Sequence, residues 1–181
     1  DVLHRKPESA AVGDGGRFGL SVEYVFDGPT LRGTAGAIAH ACPLLGAEFF
    51  VLYGDSFLEC DYAAVETAFR ASGQPALMTV FPNAGRWETS NVEFDGGRIV
   101  SYDKFQPHDR MRHVDYGLGA FTSGAILDHV AAEGGDLAAV YQRLAAAGRL
   151  AAYEVHERFY EVGSFAGIED LSRHLKEQGR P

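Results

Sequence analysis

An aspartate follows a short apolar run: Glu48 to Tyr53 reads EFFVLY and is closed by Gly54-Asp55. A run of this kind is the pattern of a strand buried on both faces. Such a strand delivers the next carboxylate to the carboxyl edge of a sheet, where open α/β folds bind their ligands. Gly54 permits close approach of backbone or ligand. A carboxylate so placed suits a hard cation such as Mg2+, which takes one or two carboxylates together with phosphate oxygens. The same residue could equally cap the turn that follows. Glu161 is an acid inside the apolar stretch Phe159–Val162, so it either faces solvent or joins a metal site. Asp103-Lys104 ends the stretch Arg98–Tyr102; the lysine could meet a phosphate as a point charge, or form a solvated ion pair. Gly33-Thr34-Ala35-Gly36 opens a helix with small residues. Amides at a helix start favour an anion or a nucleobase edge, and small side chains there also serve close packing.

Other chemistries are absent from the sequence. It contains no G-x-S-x-G elbow, no H-E-x-x-H and no G-x-x-x-x-G-K-[ST]. Gly13, Gly15 and Gly19 miss the dinucleotide-binding spacing by one residue, so their loop reads as a turn. The histidines have no ligand-like spacing; His108 and His113 flank a polar loop and read as solvated. Trp87 reads as packing or as a pocket wall.

The elements that must carry these residues alternate. Strands are expected at Leu20–Phe26, Glu48–Tyr53, Ala76–Phe81, His113–Phe121, Leu150–Val155 and Phe159–Val162. Helices are expected near Thr34–Cys42, from Asp61 to Ser72, at Ala125–Glu133, at Leu137–Ala147 and at Ala166–Gln178. Asp95-Gly96-Gly97 is hairpin turn chemistry between Asn91–Phe94 and Arg98–Tyr102. Alternation indicates an α/β layered fold, and the hairpin makes the sheet mixed. No repeat or linker divides the 181 residues, which read as one domain.

Composition narrows the function further. The chain carries 16 Lys+Arg against 25 Asp+Glu, a net charge of −9, which argues against a general nucleic-acid binder. No apolar run is long enough for a membrane span. Cys42 and Cys60 are the only cysteines and form no C-x-x-C pair, which suggests a reducing compartment and a cytoplasmic location.

In sequence order, Leu31-Arg32-Gly33-Thr34-Ala35-Gly36-Ala37, Tyr53-Gly54-Asp55-Ser56, Ser90-Asn91-Val92-Glu93-Phe94, Tyr102-Asp103-Lys104, Asp115-Tyr116-Gly117-Leu118 and Arg158-Phe159-Tyr160-Glu161-Val162-Gly163-Ser164 resemble the nucleotidyltransferases that make nucleotide-sugars from sugar 1-phosphates. Within that family the phrasing is most similar to the D-glycero-D-manno-heptose 1-phosphate guanylyltransferases of bacterial surface-polysaccharide synthesis. The resemblance implies a Rossmann-like three-layer mixed α/β sheet. It implies that Gly33, Thr34, Ala35, Gly36 and Gly54 hold the nucleotide, and that Asp55 binds Mg2+ with Glu161 as second carboxylate, a position where many relatives have Asp. Asn91, Asp103, Lys104, Asp115 and Gly117 would line the sugar-phosphate pocket. Asp55 and Lys104 would be the catalytic residues. The implied substrates are a nucleoside triphosphate, by phrasing GTP, and a sugar 1-phosphate, with no nucleic acid or membrane partner and with a homo-oligomer compatible.

Family members begin with a strand and a G-G-x-G-T-R-L-type loop followed by a Pro-Lys pair. Nothing in this chain matches it, and Asp1–Glu8 aligns after it. The expectation is therefore a nucleotidyltransferase domain over 1–181 without its N-terminal strand and phosphate loop. Two further readings stand beside the enzyme. One is a non-catalytic sugar-nucleotide-binding or regulatory module; the other is a metal-dependent glycosyltransferase, against which the missing Asp-x-Asp after Glu48–Tyr53 counts.

Overall fold

Strands that are apolar on both faces need covering on both sides, and the chain meets that demand with three layers. The computed structural model describes residues 12–130 and 134–180. In chain order its elements are α1 (Gly33–Ala41), β1 (Glu48–Leu52), β2 (Ser56–Phe57), α2 (Tyr62–Ser72), β3 (Ala76–Phe81), β4 (Val92–Asp95), β5 (Arg98–Tyr102), β6 (Val114–Thr122), α3 (Ser123–Leu127), α4 (Leu137–Ala146), β7 (Leu150–Glu154), β8 (Tyr160–Glu161) and α5 (Phe165–Glu177). The main sheet runs β1-β6-β3-β7. β6 is antiparallel to both of its neighbours, while β3 and β7 are parallel, so the sheet is mixed.

All six residues of β3 are buried. On one face of the sheet, Met78, Val80 and Phe121 pack with Ile126 of α3, Tyr141 and Leu144 of α4, and Tyr102 of β5. On the other, Leu77, Tyr116 and Leu118 pack with Val65 and Phe69 of α2 and with Phe159. Helix starts are fixed locally. Asp61, Thr122, Asp136 and Ser164 each accept a backbone N–H from the first turn of α2, α3, α4 and α5, satisfying amides that have no partner within the helix.

One irregularity shapes the upper edge of the sheet. Met78 pairs with Gly119 and Val80 with Asp115, so two steps along β3 span four along β6. The extra residues form a bulge at Tyr116–Leu118, and bulges turn side chains out of the regular alternation. Gly117 adopts φ +95°, a backbone that favours glycine. The buried Thr79 hydroxyl donates to the Leu118 carbonyl at 2.6 Å, supplying a bond that a regular ladder would have provided.

Four expectations are corrected. Glu48–Tyr53, expected to be buried on both faces, forms the edge strand β1 with Phe50 and Leu52 exposed, because an edge strand is covered only in part by the helices that pack on the sheet. Leu20–Phe26 has strand alternation but enters no ladder among the described residues. A strand requires a neighbouring edge, and this segment is separated from β1 by a groove of about 650 Å3 lined by Ser21, Glu23, Val25, Ile38, Leu45 and Phe50. The helix expected over Ala125–Glu133 closes at Leu127, and residues 131–133 lie outside the described residues, as does Asp1–Glu8. The stretch Phe159–Val162 contributes only Tyr160–Glu161, paired not with the main sheet but with the unanticipated β2.

Phe121 is fully buried, whereas Val100 on the hairpin is 55% exposed. Phe121→Ala should therefore cost about 3–5 kcal/mol in urea unfolding, and Val100→Ala should stay within about 0.5 kcal/mol of the parent.

Candidate active site

The carboxyl end of β1 meets the beginning of β6. Leu52 pairs with Leu118, and the Tyr53 N–H donates to the Gly117 carbonyl at 3.3 Å. The chain then turns, and β2 pairs with β8 so that Ser56 lies opposite Glu161. The Val162 N–H donates to the Asp55 carbonyl at 2.8 Å, fastening the two segments. Asp55 and Glu161, over a hundred positions apart in the sequence, thus line one cleft of about 300 Å3 together with Thr34, Asn91, Lys104, Asp115 and Gly117.

Asn91 and Asp115 are joined directly: the Asp115 N–H donates to Asn91 Oδ1 at 3.0 Å. Asp115 Oδ1 then accepts the Gly117 N–H at 3.0 Å, within the bulge. Desolvation pushes the Asp115 carboxyl up to about 6, against the opposing pull of the Gly117 N–H and the Lys104 charge. Desolvation also raises the Tyr53 and Tyr102 phenols, with the Asp115 charge adding to it, so both remain neutral hydroxyls facing the cleft. Glu161 is pushed up to about 7, first by desolvation, then by the Glu88 charge and a hydrogen bond to Glu88, then by Asp55, with Lys104 opposing. The cleft therefore gathers several carboxylates around one lysine.

The remaining expected residues are placed differently. Asp103 turns to its own loop, where Oδ1 accepts the N–H groups of Phe105 and Gln106 at 2.8 and 2.9 Å. These bonds hold its carboxyl below the usual range, and they shape the turn that carries Lys104. Gly33 and Gly36 abut the backbone at 134–135: a Cβ on Gly33 would lie 2.5 Å from the Gly135 carbonyl oxygen, and one on Gly36 2.9 Å from the Gly134 Cα. The Ala35 N–H donates to the Gly135 carbonyl at 2.9 Å. The Thr34 hydroxyl accepts the Leu137 N–H at 2.7 Å, tying α1 to α4 while still bordering the cleft. Close helix-to-loop packing is thus the visible work of Gly33, Ala35 and Gly36. Gly54 is exposed and has open space around it.

Sequence reasoning missed Glu88 and the residue that presents it, Asn83. Asn83 is fully buried. Its Nδ2 donates to the Glu88 carbonyl at 2.6 Å and to Ser90 Oγ at 3.1 Å, and its Oδ1 accepts the Trp87 N–H at 3.1 Å. Pro82-Asn83 at the end of a buried strand marks a turn, but nothing local points Glu88 at a residue 73 positions away.

No group of three or more His, Cys, Asp or Glu side chains among the described residues is arranged as a ready-made metal site. A cation here would use Asp55 and Glu161 and complete its shell with ligand oxygens. That donor set suits Mg2+, and the negative charge of Glu88 and Asp55, which adds to the desolvation that raises Glu161, is what a divalent cation would relieve. No helix among the described residues is long and apolar enough to cross a membrane.

The Asp115 carboxyl favours its neutral form in the fold, so the native state holds an extra proton between the unfolded range near 4 and about 6. Stability from this group therefore falls as pH rises through that window. Asp115→Asn should remove that slope from thermal midpoints measured between about pH 4 and 7, and should leave the protein at neutral pH on the order of 1–2 kcal/mol more stable.

No family model matches the chain. It is 31% identical over 116 residues to a glucose-1-phosphate thymidylyltransferase of Streptomyces antibioticus, a match that covers 62% of this chain and 32% of that protein. The chain thus spans about a third of the length of the curated relative it matches. Among solved structures, the inositol-1-phosphate CTP transferase from T. maritima superposes with a TM-score of 0.70 at 19% identity, covering 90% of this chain and 72% of that one. HddC from Yersinia pseudotuberculosis gives 0.66 at 15% identity, covering 86% and 67%, and has also been solved in complex with GMP-PN. A Bacillus anthracis protein solved with a sucrose gives 0.77 at 15% identity, covering 90% and 68%. The chain has the Rossmann-like mixed α/β fold of these nucleotidyltransferases.

Proposed function

We propose that the cleft belongs to a sugar-1-phosphate nucleotidyltransferase, which joins a nucleoside triphosphate to a sugar 1-phosphate and releases pyrophosphate. The observation that carries this reading is the meeting of Asp55, Glu161 and Lys104 in one cleft on a fold shared with nucleotidyltransferases. GTP and a heptose 1-phosphate are the proposed substrates, following the motif resemblance, and the product would supply cytoplasmic steps of surface-polysaccharide synthesis.

In this reaction an oxygen of the sugar phosphate attacks the α-phosphorus, the bond to the bridging oxygen breaks, and pyrophosphate leaves with the electron pair. The nucleophile is already ionised at neutral pH, so no general base is needed. Positioning and charge compensation then supply most of the rate. Lys104, held by the Asp103 turn, would bind the attacking phosphate. Asn91 and Gly117 would shape the sugar side of the cleft, and the Tyr53 and Tyr102 hydroxyls would donate to its oxygens. Thr34 and Gly54 would border the nucleotide. Asp55 and Glu161 would hold Mg2+, which when bound supplies charge neutralisation at the α-phosphate.

The groove beside β1 supports a proposal about the whole domain. Among the described residues β1 pairs only with β6, and Phe50 and Leu52 on it are exposed. Leu20–Phe26 lies across the groove and enters no ladder among the described residues. A free apolar edge is a template for another strand. We propose that in the complete domain this groove holds the N-terminal strand, which leads into the triphosphate-binding loop.

Thermal melts with GDP-, UDP-, dTDP- and CDP-sugars, each with and without Mg2+, test the assignment. A GDP-sugar at about a hundred times its Kd should stabilise the protein by about 2.7 kcal/mol. In the complete domain, Asp55→Asn should lower turnover by on the order of 10²–10⁴; unchanged turnover removes Asp55 from the mechanism. Hydrogen exchange reads the groove: the β1 amides that point away from β6 should exchange quickly in this chain and be protected in the complete domain.

A further inference from the structure

On the other side of Glu88 and Glu161 lies a second chamber of about 430 Å3, open to solvent. The two spaces share Glu88, Phe159 and Glu161 as a common wall. The far side of the chamber is built by Trp87, Arg158, Asp170 and Arg173. None of these residues has a part in the proposed transfer.

The chamber is ordered by its own contacts. The Arg158 guanidinium lies over two aromatic rings, 4.9 Å from the centre of Trp87 and 4.5 Å from that of Tyr160. Its Nη2 pairs with Asp170, and Asp170 also holds Arg173 at 3.3 Å. The buried Asn83 fixes the loop that carries Trp87 and Glu88. Planar stacking and a carboxylate partner pre-organise the guanidinium fork, which lowers the ordering cost of binding.

The chemistry of the walls selects a ligand class. Glu88, Glu161, Glu169 and Asp170 line the chamber against Arg158 and Arg173, so an anion meets more repulsion than attraction. Its acids and guanidinium groups are largely solvated, so an apolar ligand would strip water from them without replacing those hydrogen bonds. A hydroxyl both donates and accepts, and it can therefore bond a carboxylate and a guanidinium at once. A ring bearing several hydroxyls satisfies such a wall, beside which the Trp87 indole carries the Arg158 and Arg86 guanidinium groups.

We propose that this chamber binds a neutral, polyhydroxylated sugar ring. In the nucleotidyltransferase reading, on which this extension of the cleft rests, it takes the part of the substrate remote from the phosphate or a second sugar unit attached to it. Glu88 lines both spaces and so contributes to sugar choice.

Trp87 is the only tryptophan of the chain, so its emission reports on the chamber without a label. Glucose, mannose, galactose and sucrose are titrated into the protein, with inorganic phosphate as the anionic comparison. At least one sugar should change Trp87 emission saturably in the millimolar range. Arg173→Gln, which alters the chamber alone, should weaken that response by about tenfold, and Lys104→Ala, in the cleft, should leave it within twofold of the parent. Absence of saturation with every sugar, a response to phosphate only, or sensitivity to Lys104→Ala and not to Arg173→Gln overturns the proposal. If nucleotide-sugars stabilise the protein while neutral sugars give no saturable response, the chamber assignment falls and the transfer reading stands. If neutral sugars bind and no nucleotide-sugar does, the chamber assignment stands and the transfer reading falls.

Discussion

The site depends on the bulge in β6. A regular antiparallel pairing would carry the alternation of β3 straight across, and the residues between Asp115 and Gly119 would sit in the ladder. Instead the register slips, and Thr79, buried with no water available to its hydroxyl, takes the Leu118 carbonyl. Gly117 accepts a left-handed backbone, and both its carbonyl and its N–H are used, the first by Tyr53 and the second by Asp115. The bulge therefore joins the end of β1, the start of β6 and the Asn91 loop in one hydrogen-bonded unit. A buried polar network of this kind rigidifies when fully satisfied.

Around that unit the electrostatics are unbalanced by design of the topology. The β2–β8 ladder brings Glu161 to Asp55, and the Asn83-braced loop brings Glu88 to Glu161. Among the described residues, Lys104 is the cation whose charge is felt at both Asp115 and Glu161. Carboxylates close enough to raise one another's proton affinity hold interaction energy that a cation or a hydrogen-bond donor can release. Perturbed carboxyl groups gathered in a cleft are a frequent mark of a functional site. The same wall of acids, seen from its other side, faces the chamber beyond.

The small residues at the start of α1 carry a different lesson. Their spacing suits an anion or a base, yet Gly33 and Gly36 are filled against Gly134 and Gly135, and the Thr34 hydroxyl is engaged by α4. Small side chains were required because two backbones approach within contact distance, and a sequence does not distinguish that approach from the approach of a ligand. Only Thr34 of the four also borders the cleft.

Most of the architecture was legible from local chemistry. Continuous apolar runs gave β1 and β3, Asp61 and Gly73 bounded α2, and Asp95-Gly96-Gly97 specified the β4–β5 hairpin. The reason is physical: alternation, capping and turn residues act over a few positions, so their signals are written where they act. Asp55 was legible for the same cause, since an apolar strand must end at a sheet edge. Leu20–Phe26 shows the limit, because alternation states that a segment can be a strand but does not supply the edge it needs. The β6 bulge, the pairing of β2 with β8 and the presentation of Glu88 by Asn83 were decided only by tertiary structure. Each depends on which distant residue fills the space opposite, and burial, register and mutual charge exist only once the layers have closed.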